Sequence, residues 1–323
     1  MTVRLKPILE AGEFVLATGV FEMFSARIAD RMGFKALYMT GYGISASYLG
    51  QPDAGLATYT DMVSRARTIA EGTVTPLIAD ADTGFGGLIN VRQTMRGYEA
   101  AGVQAVQIED QEMPKKCGHT PNRRVIPLAD MVQKIEVALD SRRSDDTLLI
   151  ARTDSRTSLG LDEAIRRGCA YAKAGADIVF IEAPETEEEF RRIGGEIDAW
   201  LIANMVPTGN SPVVPAERLR EFGFDIAIYP TIGMNAACAA LQNAYAYLMQ
   251  HGSAAGSPVP SISMQEIHEL VGFAGVWDFE RKYAQTKKAH GLRRGPGFSR
   301  LETRCSRDAC ERAPGVMISW EDK

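Results

Sequence analysis

The chain has 323 residues, 45% of them hydrophobic, and a formal charge of -5 with an isoelectric point near 5.6. That length supports one large buried core and is common for a parallel α/β barrel folding as a single domain. The mild acidity excludes a global field that would draw nucleic acid or an anionic membrane, which leaves small molecules as the expected partners.

The first residues, MTVRLKPILEAGEF, lack the apolar core and cleavage site of a secretory signal, and no later run is apolar for long enough to span a bilayer. A cytoplasmic protein is expected. Its five cysteines are odd in number and scattered, which suits reduced thiols, and the C-x4-C pair Cys305 and Cys310 is weak evidence for a metal site.

In chain order, short apolar runs fall at 15–18, 36–40, 76–82, 105–110, 148–154, 177–183, 201–205 and 226–230. Between them lie segments such as SARIADRMGF, NVRQTMRGYEAAG, LADMVQKIEVALDSR and LDEAIRRGCAYAKAGA, apolar at spacings of three and four and punctuated by glycine as helices are. Near-continuous apolar strands alternating with helices predict a parallel sheet covered on both faces, and eight such units predict a closed (β/α)8 TIM barrel. An open doubly wound sheet would carry a Gly-rich phosphate turn after its first strand, and none is there. The glycines at 41 and 43, and at 84, 86 and 87, read instead as loop residues. The barrel is expected to occupy 1–251, ending in a helix over 236–251, with a linker at 252–261 and a helix pair at 264–283 completing an extension over 252–283. The segment 284–323, rich in Lys, Arg, Gly and Pro, is expected to be a mobile solvated tail.

Barrels keep their chemistry at the C-terminal ends of the strands, and here those ends are polar: Tyr38 and Thr40, Asp80 and Asp82, Glu109, Arg152, Glu182 and Asn204. Alternation puts Asp80 and Asp82 on one face beside Glu109 of the next strand. Three converging carboxylates need a compensating cation, and all-oxygen ligation with retained water suits Mg2+ or Mn2+; helix caps and salt bridges are the plainer alternative. The loop Lys115-Lys116-Cys117-Gly118-His119 sets a thiol among cations, with a glycine that permits close backbone approach. A satisfied loop cysteine between solvated lysines accounts for the same pattern. Arg152 can clamp a carboxylate and Asn204 can donate to a second oxygen, while Glu182 either takes part in proton transfer or holds Arg152 in a salt bridge.

The segments TGYGISASYLGQPD, DADTGFG, IEDQ, PKKCGH, ARTD and FIEA, in that order, make residues 8–250 resemble the isocitrate lyase and phosphoenolpyruvate mutase superfamily. The resemblance implies a barrel whose C-terminal helices are swapped between subunits of a homotetramer, a dimer of dimers. It implies that Asp80, Asp82 and Glu109 hold Mg2+ largely through water, with Asp53 behind them. Thr40 and the backbone around Tyr42 and Gly43 would receive one substrate carboxylate, and Arg152 and Asn204 would grip the rest. The cysteine loop resembles that of the lyases, and the compact length fits the 2-methylisocitrate and 2,3-dimethylmalate types, which cleave a small 2-hydroxy acid into a 2-oxo acid and a carboxylate. Two departures bear on the pocket: Tyr42 stands where methylisocitrate lyases tend to have glycine, and Pro207 where many have glutamate.

For such a reaction, Tyr38 as phenolate or a network through Glu182 is expected to take the 2-hydroxyl proton. Lys116, His119 and Arg152 would face the carbanion, and Cys117 would protonate it. The alternatives are oxaloacetate hydrolysis or decarboxylation, P–C bond chemistry on a phosphonate, and a noncatalytic metabolite-binding barrel.

Overall fold

The computed structural model describes residues 3–118, 120, 123–207 and 209–283. Eight strands form where the apolar runs predict them: β1 Val15–Val20, β2 Ala36–Met39, β3 Leu77–Asp80, β4 Ala105–Glu109, β5 Leu148–Thr153, β6 Ile178–Ile181, β7 Trp200–Asn204 and β8 Ile226–Tyr229. Each pairs in parallel with the next and β1 pairs with β8, so the barrel closes in sequence order. The registers Glu109↔Arg152 and Asn204↔Ile228 bring polar strand ends from distant parts of the sequence to one rim.

The helices are α1 Leu5–Glu10, α2 Met23–Arg31, α3 Gly41–Ile44 continued by a π-helical turn Ser45–Leu49, α4 Tyr59–Gly72, α5 Leu88–Ala100 and α6 Leu128–Ser141. After β5 come α7 Arg156–Leu159, α8 Leu161–Lys173, α9 Glu187–Glu196, α10 Ala216–Glu221 and α11 Ile232–His251. Two further helices, α12 Met264–Val271 and α13 Phe273–Tyr283, follow a stretch with no helix or strand. Local chemistry sets their starts. Thr58 accepts from the backbone N–H of Asp61 at 3.3 Å while Asp61 accepts from that of Thr58 at 2.9 Å, a capping box that opens α4. Ser263 and Glu266 repeat the device at α12.

Two apolar layers hold the barrel. An inner one joins strand side chains such as Ile78, Ile150, Phe180 and Ile202 with Leu5 and Leu9 of α1. The outer one packs the opposite strand faces against the helices, with Met62, Met95, Ile135 and Phe190 fully or almost fully buried. The chain divides into two compact units, 1–274 and 275–323, and the described part of the second is helical. Within the first, α12 meets α2, where Arg27 donates to the carbonyl of Leu270 at 3.2 Å. The expected tail over 284–323, with Cys305 and Cys310, lies outside the described residues.

Candidate active site

A cavity of about 240 Å³ opens at the C-terminal rim of the barrel. Tyr38 lines it from β2 with Thr40 and Tyr42 just beyond, Asp80 from β3, Glu109 from β4, Arg152 from β5, Glu182 just past β6 and Asn204 from β7; Asp53, Lys116, Cys117 and Gly118 come from loops. Most of the residues singled out from the sequence therefore share one space. Gly43 stands close by as the donor of a backbone hydrogen bond to the Thr40 hydroxyl at 3.3 Å, which starts α3. Asp82 is paired rather than open to the cavity: its Oδ1 lies 2.6 Å from Nζ of Lys115. His119 lies outside the described residues.

Close packing explains two glycines. A Cβ on Gly118 would stand 2.4 Å from Nη2 of Arg152 and 2.8 Å from Oε1 of Glu182, so the cysteine loop rests directly on these two side chains. A Cβ on Gly41 would stand 2.5 Å from Oδ2 of Asp80. Asp82 and Ala183, just past β3 and β6, take left-handed backbone angles of φ 48° and 60°, the kind of cost that surrounding structure must hold in place.

Charge is concentrated here. Burial pushes the carboxyls of Asp80 and Glu109 up, that of Glu109 well above the usual range, and Lys115 and Arg152 only partly offset it. Burial, opposed by Lys115 and reinforced by Asp80, pushes Asp82 up to about 7. Lys115 would lose its proton more readily through burial alone, but Asp82, Glu109, Asp53 and Asp80 together hold it firmly charged. Its Nζ also meets Oδ1 of Asp53 at 2.5 Å.

Arg152 is held from three sides. Its Nε and Nη2 donate to the two oxygens of Asp154, each at 2.9 Å, Nε lies 3.4 Å from Glu109 and Nη2 3.6 Å from Glu182. The guanidinium carbon also sits 4.9 Å from the centre of the Phe180 ring. Asn204 donates to both oxygens of Glu182, at 3.4 and 3.3 Å. The Tyr38 hydroxyl donates to Oε1 of Gln107 at 3.1 Å. Burial and then Asp80 raise that phenol well above its ordinary value.

The donor set fits a hard divalent cation. Its members are carboxylates, Oε1 of Glu109 is buried without a hydrogen-bond partner, and burial lifts Asp80, Asp82 and Glu109 as uncompensated negative charge does. As the side chains stand, no three His, Cys, Asp or Glu among the described residues converge to common ligand distance.

Residues 5–249 match the family described as phosphoenolpyruvate phosphomutase. The chain belongs to that family. It is 45% identical to a 2,3-dimethylmalate lyase of Eubacterium barkeri, over 87% of this chain and 97% of that one. It is 39% identical to a 2-methylisocitrate lyase of Aeropyrum pernix, over 89% and 92%. Among solved structures it is similar to oxaloacetate acetylhydrolase bound to 3,3-difluorooxalacetate, with a TM-score of 0.84 at 34% identity over 88% of this chain and 98% of that one. A 2,3-dimethylmalate lyase, titled a member of the PEP mutase/isocitrate lyase superfamily, gives 0.82 at 34% over 89% and 96%. A phosphonopyruvate hydrolase solved with oxalate and Mg++ gives 0.79 at 30% over 87% and 98%.

In this member of the phosphomutase family, one group lining the cavity and the roles of two residues beside it escaped the sequence reading. Val206, Pro230, Thr231, Met234 and Asn235 line its far side, the last three from the junction of β8 with α11. Lys115 is the cation of the acidic cluster, and Asp154 is the anchor of Arg152. The polar ends of the motif strands gave a signal for Asp154, but only the closed barrel brings the first turn of α11 over the pocket.

Proposed function

We propose that the chain is a Mg2+-dependent carbon–carbon lyase that cleaves a small 2-hydroxy dicarboxylate carrying an alkyl group at C3. What carries this reading is the loop of Cys117, whose thiol shares one cavity with the acidic cluster and Arg152. The far wall favours the alkyl substituent: among its described residues, Val206, Pro207, Pro230 and Met234 are apolar, and Thr231 and Asn235 are uncharged. A third carboxylate, as in a tricarboxylic acid, would be desolvated there without a cation. A 2,3-dimethylmalate-type acid suits the pocket better than a 2-methylisocitrate-type one.

Asp80, Asp82 and Glu109 would hold Mg2+, with Asp53 and Lys115 behind them; when bound, the ion acidifies the substrate's 2-hydroxyl and steadies the 2-oxo product. Thr40, with the Tyr42 and Gly43 backbone, receives one carboxylate, and Arg152 with Asn204 the other. Glu182, oriented by Asn204, accepts the hydroxyl proton. The C2–C3 electron pair then passes to C3 and spreads into its carboxylate beside Arg152 and Lys116. The Cys117 thiol gives its proton to C3, and Glu182 returns one to the resulting thiolate. The Cys117 loop, seated through Gly118, keeps water from the carbanion. Tyr38 keeps its proton and donates towards the substrate oxygens.

We further infer a cytoplasmic homotetramer, a dimer of dimers in which α11 is exchanged between subunits. Its twenty residues include none that is buried in the single chain. No described helix is long and apolar enough to cross a membrane.

The test is 2-oxo acid release from 2,3-dimethylmalate, 2-methylisocitrate and oxaloacetate, with and without Mg2+, for wild type and Cys117→Ser. We expect Mg2+-dependent cleavage of the dimethylmalate, lost by about a hundredfold or more in the variant while Mg2+ binding persists. Turnover of oxaloacetate alone, indifferent to Cys117, would overturn the lyase reading.

A further inference from the structure

Outside the cavity lining, Arg123 is a buried cation on the same β4–α6 connection as Cys117. Its side chain is 1% exposed and that of its partner Asp154 is 0% exposed. Nη1 donates to Oδ1 of Asp154 at 2.7 Å, and Nη2 donates to the Thr157 hydroxyl at 2.6 Å. Oδ1 of Asp154 is also the oxygen that accepts Nη2 of Arg152 at 2.9 Å. One carboxylate thus joins the arginine of the pocket to an arginine of the cysteine loop.

Asp154 is a fixed point. Its backbone N–H donates to Asp110 at 2.9 Å, and Asp110 is itself pinned by Thr153 at 2.6 Å, Tyr171 at 2.7 Å and Arg167 at 2.9 Å.

We propose that Arg123 is a positioning residue that latches the Cys117 loop to the end of β5 and, by sharing Asp154, sets how Arg152 is presented to substrate. Two physical effects give the latch its force. Opening the loop withdraws a buried guanidinium from a buried carboxylate, and breaking such a pair is costly. Opening also removes a cation from a cluster in which Asp154, Glu109 and Glu182 all face Arg152, so Arg152 is drawn harder onto Asp154. The pocket arginine is then presented in its working pose only while the loop that carries the thiol is seated. This extends the lyase reading given above and rests on it for the role of Cys117.

Alkylation of Cys117 by iodoacetamide tests the latch in the full chain, read by peptide mass spectrometry against the exposed Cys169 as an internal reference. Arg123→Met is expected to speed Cys117 modification about tenfold relative to Cys169, as local opening becomes easier. Arg123→Lys should stay close to wild type. On the lyase substrate, Arg123→Met should lower kcat/KM by about a hundredfold, with a raised KM and partial rescue by Arg123→Lys, as misplacement of reacting groups does. A folded Arg123→Met with wild-type Cys117 labelling would overturn the proposal. If that variant does not fold, Thr157→Val decides: it loses half the latch with no change of charge, and unchanged labelling there is equally fatal. Labelling needs no substrate, so a failure of the lyase reading shows in the turnover arm alone.

Discussion

Asp154 shows how a single carboxylate can organise a site from outside the cavity lining. Burial alone would raise its carboxyl, but the guanidinium groups of Arg152 and Arg123 outweigh burial and hold it below the usual carboxylate range. A carboxylate depressed on folding contributes stability above its unfolded pKa of about 3.9 and loses it as pH falls through the lower folded value. Asp154→Asn leaves two buried cations short of an anion and should cost about 3 to 5 kcal/mol at pH 7. Urea unfolding followed from pH 7 downward checks both points: the gap between wild type and variant should narrow only below about pH 4. A gap that stays constant down to the acid limit would mean that Asp154 is not the titrating group.

At the scale of elements, the strands were legible because each is a short, nearly continuous apolar run, and runs of that kind fit only a sheet covered on both faces. Tyr38, Asp80, Glu109, Arg152, Glu182 and Asn204 were legible for a related reason, since polar side chains ending apolar runs stand out in a string of letters. What stayed hidden depends on how loops and helices return to the rim. Thr231, Met234 and Asn235 look like the start of any helix, and only the closure of β8 onto β1 swings them over the pocket. Lys115 and Arg123 are charged loop residues of a sort usually solvated, and nothing local marks them as buried. The π-helical turn Ser45–Leu49 was equally unreadable, because it differs from α-helix by one hydrogen-bond step that composition does not encode. Helix starts carry clearer signs. Removing the Thr58 cap by Thr58→Ala should destabilise the protein by about 1 kcal/mol, measured by chemical denaturation, with turnover retained. A loss near zero would mean that water replaces the hydroxyl at α4.

At the scale of the whole molecule, α11 is the element that a single chain leaves unfinished. Leu241, Tyr245 and Leu248 recur at helical spacing and are 49%, 65% and 49% exposed, and Met249 beside them is 88% exposed. Large side chains exposed in such a row mark a face that a partner covers. The double variant Tyr245→Glu, Leu248→Glu should therefore break the proposed assembly of four 35.2-kDa chains into smaller particles, as seen by sedimentation velocity. Unchanged sedimentation would remove α11 from the interface.

The small helix α1 has a consequence for throughput. With Leu5 and Leu9 set among the inner strand side chains, it stoppers the barrel at the end remote from the chemistry. Among the described residues the doorway is the opposite rim, and Cys117 is part of its lining. In the proposed cleavage, the acid that enters and both fragments that leave share that rim. However fast the bond breaks, the enzyme can turn over no more often than that doorway clears.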